Sequence, residues 1–160
     1  MSDLPTNLSV TYRALRLMRV ISENAKRALD KHLPSTLTSR QFEVLNRLYF
    51  VGEQTVSELA IAFQVSAPSM SQMIARLREG GVIETSRKSQ DARAKLVRIT
   101  EYGKGVLNFT TQSLQPSFAP VEEALGELRL QHLLQELEAV HRALGGVALG
   151  ANNKDLINEG

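Results

Sequence analysis

The chain has 160 residues, a formal net charge of +2 and 42% hydrophobic content, enough for one core with an appended helical layer and too little for several domains. It contains no Cys, which excludes disulfides, thiolate metal sites and thiol redox sensing. No run approaches the roughly 20 apolar residues of a membrane span, and Met1-Ser2-Asp3-Leu4-Pro5 leads into no apolar stretch, so a cytoplasmic location without membrane contact is expected.

Leu8, Tyr12, Leu15, Met18, Ile21, Ala25, Ala28 and Leu29 recur at three- and four-residue steps, which predicts a helix from about Leu8 to Leu33, ended by Pro34. Thr38-Ser39-Arg40-Gln41 reads as a capping box, in which hydroxyl and amide satisfy free backbone groups, and opens a second helix that Gly52 stops. Thr55-Val56-Ser57-Glu58 repeats the device before a short third helix through Phe63. Ser66 caps the fourth, Pro68 is tolerated in its first turn, and Gly80-Gly81 supplies the left-handed stop.

β-Branched residues predict strands over Val82–Arg87 and Lys95–Ile99, with Lys88–Ala94 as a polar connection longer than a tight turn needs. A long charged hairpin without an apolar tip has little reason to pack on its own protein and is expected to stand away from the body. Thr100 caps a further helix that Pro116 and Pro120 should kink or interrupt. A final helix carries the seam Leu130, Leu133, Leu137, Val140 and Leu144, closed by Gly145-Gly146. The tail, 147–160, reads as mobile.

The fourth helix has two sides. Met70, Ile74 and Leu77 lie on one, whereas Ser69, Gln72 and Arg76 project from the other. Short hydroxyls and forked donors suit base edges and phosphates, although the same residue types also make ordinary solvated helix faces. The candidate contacts here are Ser66, Ala67, Pro68, Ser69, Ser71, Gln72 and Arg76.

Charge follows the same geography: residues 1–65 sum to +2, 66–100 to +4 and 101–160 to −4. A local basic excess attracts a polyanion because each neutralised phosphate releases counterions. The hairpin concentrates the excess, with Arg87, Lys88, Arg93, Lys95 and Arg98 against Asp91 alone among acids of that stretch. Guanidinium groups suit a narrow minor groove, and Asp91 is expected to pin one of them, Arg93, in a single pose. A helix-turn-helix followed by a hairpin is the winged-helix plan, with one helix in the major groove and the hairpin in an adjacent groove or on the backbone.

Catalytic and metal chemistry find little footing. His132 and His141 are nine positions apart on one predicted helix and point to opposite sides, and His32 is remote. Gly103-Lys104-Gly105 lacks the further glycine and the strand-to-helix context of a phosphate loop. No cofactor, no metal and no enzymatic activity are expected.

The run Leu59-Ala60, Val65-Ser66, Ser69-Met70-Ser71, Leu77, Gly81-Val82-Ile83, then Asp91-Ala92-Arg93, Val97, Ile99-Thr100 and Gly103 resembles the multiple antibiotic resistance regulator (MarR) family over roughly residues 8–145. The resemblance implies a mainly helical fold, a winged helix-turn-helix lobe over 36–100 with a dimerisation layer from 8–33 and 101–145. It implies double-stranded DNA as partner, Arg93 in the minor groove, and Ser69, Ser71, Gln72 and Arg76 at the major groove. Gln72 stands where many relatives place a basic residue, so base preference does not carry over.

Family members are homodimers, most often repressors of a pseudo-palindromic operator. The interface expected here is Leu8, Leu15, Met18, Leu130, Leu133, Leu137, Val140 and Leu144. Relatives often bind small aromatic or anionic effectors between lobe and layer. Tyr12, Arg16, His32 and Phe42 are candidates to line such a cavity, each equally accounted for by packing or surface exposure. The alternative is a winged-helix module for protein association without specific DNA binding.

Overall fold

Among the described residues, 9–88 and 91–146 of the computed structural model, the elements run α1 (Val10–His32), α2 (Ser39–Val51), β1 (Gln54–Thr55), α3 (Val56–Ala62), α4 (Ala67–Glu79), β2 (Ile83–Lys88), β3 (Asp91–Ile99) and α5 (Glu101–Ala143). Leu8 and the tail 147–160 lie outside them. Each predicted cap is formed. The Thr38 and Thr55 hydroxyls accept from the Gln41 and Glu58 amides at 3.3 and 3.2 Å, and both reciprocal side-chain bonds are present. Ser66 accepts from the Ser69 amide at 3.3 Å.

These caps fix where helices start, and the apolar faces behind them build one core. Phe42, Val44, Leu45 and Leu48 of α2 meet Leu59 and Ala60 of α3, Met70, Ile74 and Leu77 of α4, Ile83 and Val97 of the sheet, and Leu107 of α5. At about 1.5–3 kcal/mol for each large side chain removed from water, this cluster is the main source of cohesion. The sheet order is β1-β3-β2, all antiparallel, with Gln54 opposite Val97 and Ile83 opposite Ile99. β1 is invisible to sequence patterning because two residues cannot show an alternation.

Two expectations are corrected. The polar connection expected over Lys88–Ala94 is mostly strand: β3 begins at Asp91, and Lys88 pairs with Asp91 after a register irregularity at Arg87/Lys88. The strands persist because cross-strand backbone bonds make the ladder and do not require apolar and polar residues to alternate. Pro116 and Pro120 do not end their helix either. Both are exposed, where water can bond the carbonyls that a proline four residues on leaves free. The interruption falls instead at Gly126, whose φ of 71° and ψ of 164° lie where only glycine sits comfortably.

α1 stands apart from this cohesion. None of its residues is buried, and Leu29 and Leu33 at its carboxyl end are its apolar anchors to the core. His32 Nε2 lies 3.3 Å from Ser117 Oγ, tying that end to α5. Deeper in α5, Thr110 is fully buried and its hydroxyl finds no partner among the described residues. Because an unsatisfied buried hydroxyl carries a desolvation penalty, Thr110→Val is expected to stabilise the fold by about 1 kcal/mol. Thermal unfolding should show the midpoint rising by about 3 °C; a fall would mean that the hydroxyl is satisfied in solution.

Candidate nucleic-acid interface

α4 is held by its inward face and free on its outward one. Met70, Ile74 and Leu77 are buried, whereas Ser66, Ala67, Pro68, Ser69, Ser71, Gln72 and Arg76 are all exposed. The predicted two-sidedness is therefore what the packing produces. At the amino end the Ser66 and Ser69 hydroxyls lie 2.8 Å apart, leaving the first turn of α4 open to solvent. A helix amino terminus carries partial positive charge and free amides, which favour an anion.

The turn between α3 and α4 has a brace that sequence reasoning missed. Arg40, in the first turn of α2, donates from Nη2 to the Phe63 carbonyl at 2.8 Å, and its guanidinium sits 5.3 Å from the Phe63 ring centre. Glu43 adds an ion pair at 3.6 Å. Phe63 is the carboxyl cap of α3, so Arg40 ties the helix-turn-helix elbow to the neighbouring helix. Twenty-three positions separate Arg40 from Phe63, and no sequence pattern links them.

The β2–β3 hairpin forms the wing. β1 pairs only with Leu96 and Val97, so beyond that point the hairpin continues without a third strand. Lys95 is exposed. The side chains of Arg87, Lys88, Asp91 and Arg93 lie outside the described residues, as does the expected Asp91–Arg93 pairing.

Arg98, also among the predicted wing contacts, is paired with two carboxylates. Its Nε donates to Glu84 at 2.8 Å, and its Nη1 approaches Glu53 at 3.8 Å. All three line a cleft of about 590 Å³ whose walls come from α2 and the turn after it, the wing strands and the start of α5. No residue of α3 or α4 contributes to it.

The base of the wing is locked to α5 nearby. Thr100 Oγ1 donates to the Gly81 carbonyl at 2.7 Å and accepts from the Gly103 amide at 3.0 Å, while the Thr100 amide donates to the Val82 carbonyl at 3.1 Å. A Cβ on Gly103 would stand 2.0 Å from the Val82 oxygen. The spacing Thr-x-x-Gly thus has a physical content: a cap that also grips the strand start, and a glycine that lets the helix approach it. One turn on, Glu101 accepts a 2.7 Å bond from Lys104, and this bond and the carboxylate charge hold the ammonium above the usual lysine value.

The effector candidates are not gathered. Tyr12 and His32 sit twenty positions apart on one helix, about 30 Å at 1.5 Å per residue. Arg16 is exposed, and Phe42 is packed into the core. His132 lies 3.7 Å from Glu136, and among the described residues no three His, Asp or Glu side chains cluster as a metal site.

Residues 37–95, the helix-turn-helix with most of the wing, match the model of the MarR family. Over that segment the chain is similar to the MarR family. Among curated relatives, the transcriptional repressor IacR of Pseudomonas putida is 27% identical over 123 residues, 77% of this chain and 72% of that protein.

Solved structures share the fold. The MarR family transcription regulator SP03579 superposes with a TM-score of 0.68 at 19% identity, covering 84% of this chain and 90% of that one. A mutant MarR from E. coli, complexed with operator DNA, gives 0.65 at 24%, covering 87% and 99%. The chain has the winged helix that its sequence predicts, and no described helix is long and apolar enough to cross a membrane.

Proposed function

We propose that this chain is a MarR-family regulator: a cytoplasmic, dimeric repressor that reads a pseudo-palindromic operator in double-stranded DNA. The observation that carries the reading is the orientation of α4: every candidate contact is on the exposed side, and three buried apolar residues clamp the other. Ser69, Ser71, Gln72 and Arg76 are assigned to base edges and phosphates of the major groove. The open first turn, Ser66 to Pro68, abuts the backbone. Arg87, Lys88, Arg93 and Lys95 of the wing supply cations to the neighbouring minor groove, with Asp91 as the orienting acid.

The dimer is supported by what one chain leaves uncovered. Leu15, Leu17, Val20 and Ile21 of α1 are exposed, as are Leu128, Leu133, Leu134, Leu137 and Leu144 at the far end of α5; Met18, Leu130 and Val140 are half-buried. Many exposed apolar side chains on two terminal helices are the mark of an association face. A second copy burying it would give residues 8–33 and 101–145 the role of a dimerisation layer and present the 36–100 lobes to half-sites about one helical turn apart. A small aromatic or anionic effector would relieve repression by binding better to a head spacing that no longer matches the operator.

Selection of bound fragments from genomic DNA, followed by gel shift at two salt concentrations, tests the reading. A discrete, saturable complex with a recurring two-half-site motif is expected; smearing erased by modest salt would point to an association module instead. Gln72→Ala should relax the motif at one position per half-site, at a cost of about 1–3 kcal/mol. Recovery of the same motif from that variant would remove Gln72 from the readout.

A further inference from the structure

Arg98 has two carboxylates on it, and they come from different parts of the chain. Glu84 is its cross-strand partner in the β2–β3 ladder. Glu53 belongs to the turn between α2 and β1, outside the hairpin. One guanidinium therefore joins both strands of the wing to the body, close to where β1 stops supporting β3. Its side chain is 54% exposed, yet it faces a cleft with no wall from α3 or α4.

We infer that Arg98 is a positioning residue: it sets the angle of the wing against the lobe and does not itself contact DNA. This rests on the DNA-reading function proposed above. A hairpin with only two strands beyond Leu96 has its root as the place where its direction is fixed. The planar fork is suited to bridging two carboxylates at once, which a lysine cannot do with the same geometry. A wing held at one angle loses less conformational freedom on docking, so the gain appears as DNA affinity. The chemistry also accounts for two acids beside a cation in the segment that faces a polyanion. They occupy the cation, and removing them should harm binding although it removes negative charge.

That inverted sign is the test. Arg98→Met and the double variant Glu53→Gln/Glu84→Gln are each titrated with the operator fragment selected by the unaltered protein, across a series of salt concentrations, with thermal midpoints recorded. Both are expected to bind about tenfold more weakly, with the slope of log affinity against log salt unchanged, because no phosphate contact is lost.

Tighter binding by the amide double variant, with a slope reduced by about one in Arg98→Met, would show that Arg98 neutralises a phosphate and would overturn the inference. Affinities equal to the unaltered protein's in every variant would overturn it too, leaving an ordinary surface pair. If the unaltered protein retained no fragment at all, the DNA-reading function would fall first, and that outcome is separate from any of these.

Discussion

Gly103→Ala is expected to destabilise the protein by about 3 kcal/mol, although alanine is the better helix former. Exchanging glycine for alanine inside a helix is worth about 1 kcal/mol in favour of alanine when nothing else changes. Here the added methyl would lie 2.0 Å from the Val82 oxygen and 2.9 Å from Ile99 Cγ1. The Val82 carbonyl cannot swing aside freely, since it accepts the Thr100 amide at 3.1 Å, and Val82 itself is buried. The amino end of α5 must therefore back away from β2, loosening the Thr100 bond to Gly81 and the packing of Leu107 behind it. Overpacking against backbone costs about 1–3 kcal/mol and occasionally more.

The midpoint of thermal unfolding should fall by about 10 °C. Operator affinity should fall with it, because the displaced junction is the root of the wing. A midpoint at or above that of the unaltered protein would mean that helix propensity governs this position and that the close approach is relieved in solution.

The Thr100–Gly103 spacing shows how far the sequence speaks. The two residues are readable as a signature because the same pair serves a local purpose, the cap of α5, and a distant one, the contact with Gly81 and Val82 just ahead of β2. Helix starts were legible for the same kind of reason: Thr38–Gln41, Thr55–Glu58 and Ser66–Ser69 each complete their bonds within four residues. So was the two-sided α4, whose burial pattern is helical periodicity alone.

What was not legible depends on partners far along the chain or on a conformation many residues tolerate. Arg98 reads as one more wing cation until Glu53, forty-five positions earlier, is seen beside it. Arg40 gives no hint of Phe63. Proline announces a break more loudly than glycine, yet Pro116 and Pro120 face solvent and Gly126 carries the turn. The strand over 91–94 escaped because its residues show no alternation of apolar and polar types, while the ladder itself is made by backbone bonds.

Leu137→Glu is expected to dissociate the proposed dimer and, through that alone, to weaken operator binding by about two to four orders of magnitude. In a single chain Leu137 is 38% exposed and lies in the segment of α5 beyond Gly126, away from the core cluster of the winged helix. Glutamate is also a good helix former, so neither α5 nor the lobe should unfold. In a twofold assembly the cost is counted in both copies: each loses the part of leucine burial that the partner supplies, about 1 kcal/mol or less, and each would place a carboxylate in an apolar seam, which is the larger cost. Sedimentation at micromolar concentration should then report the mass of one chain. With the two reading heads unlinked, the second half-site no longer benefits from the high local concentration that linkage provides, a factor of about 10²–10⁴. The unfolding of the lobe should stay where it was. A variant that still sediments as two chains would place the interface elsewhere; one that is monomeric yet binds the operator as before would show that a single winged helix suffices for recognition.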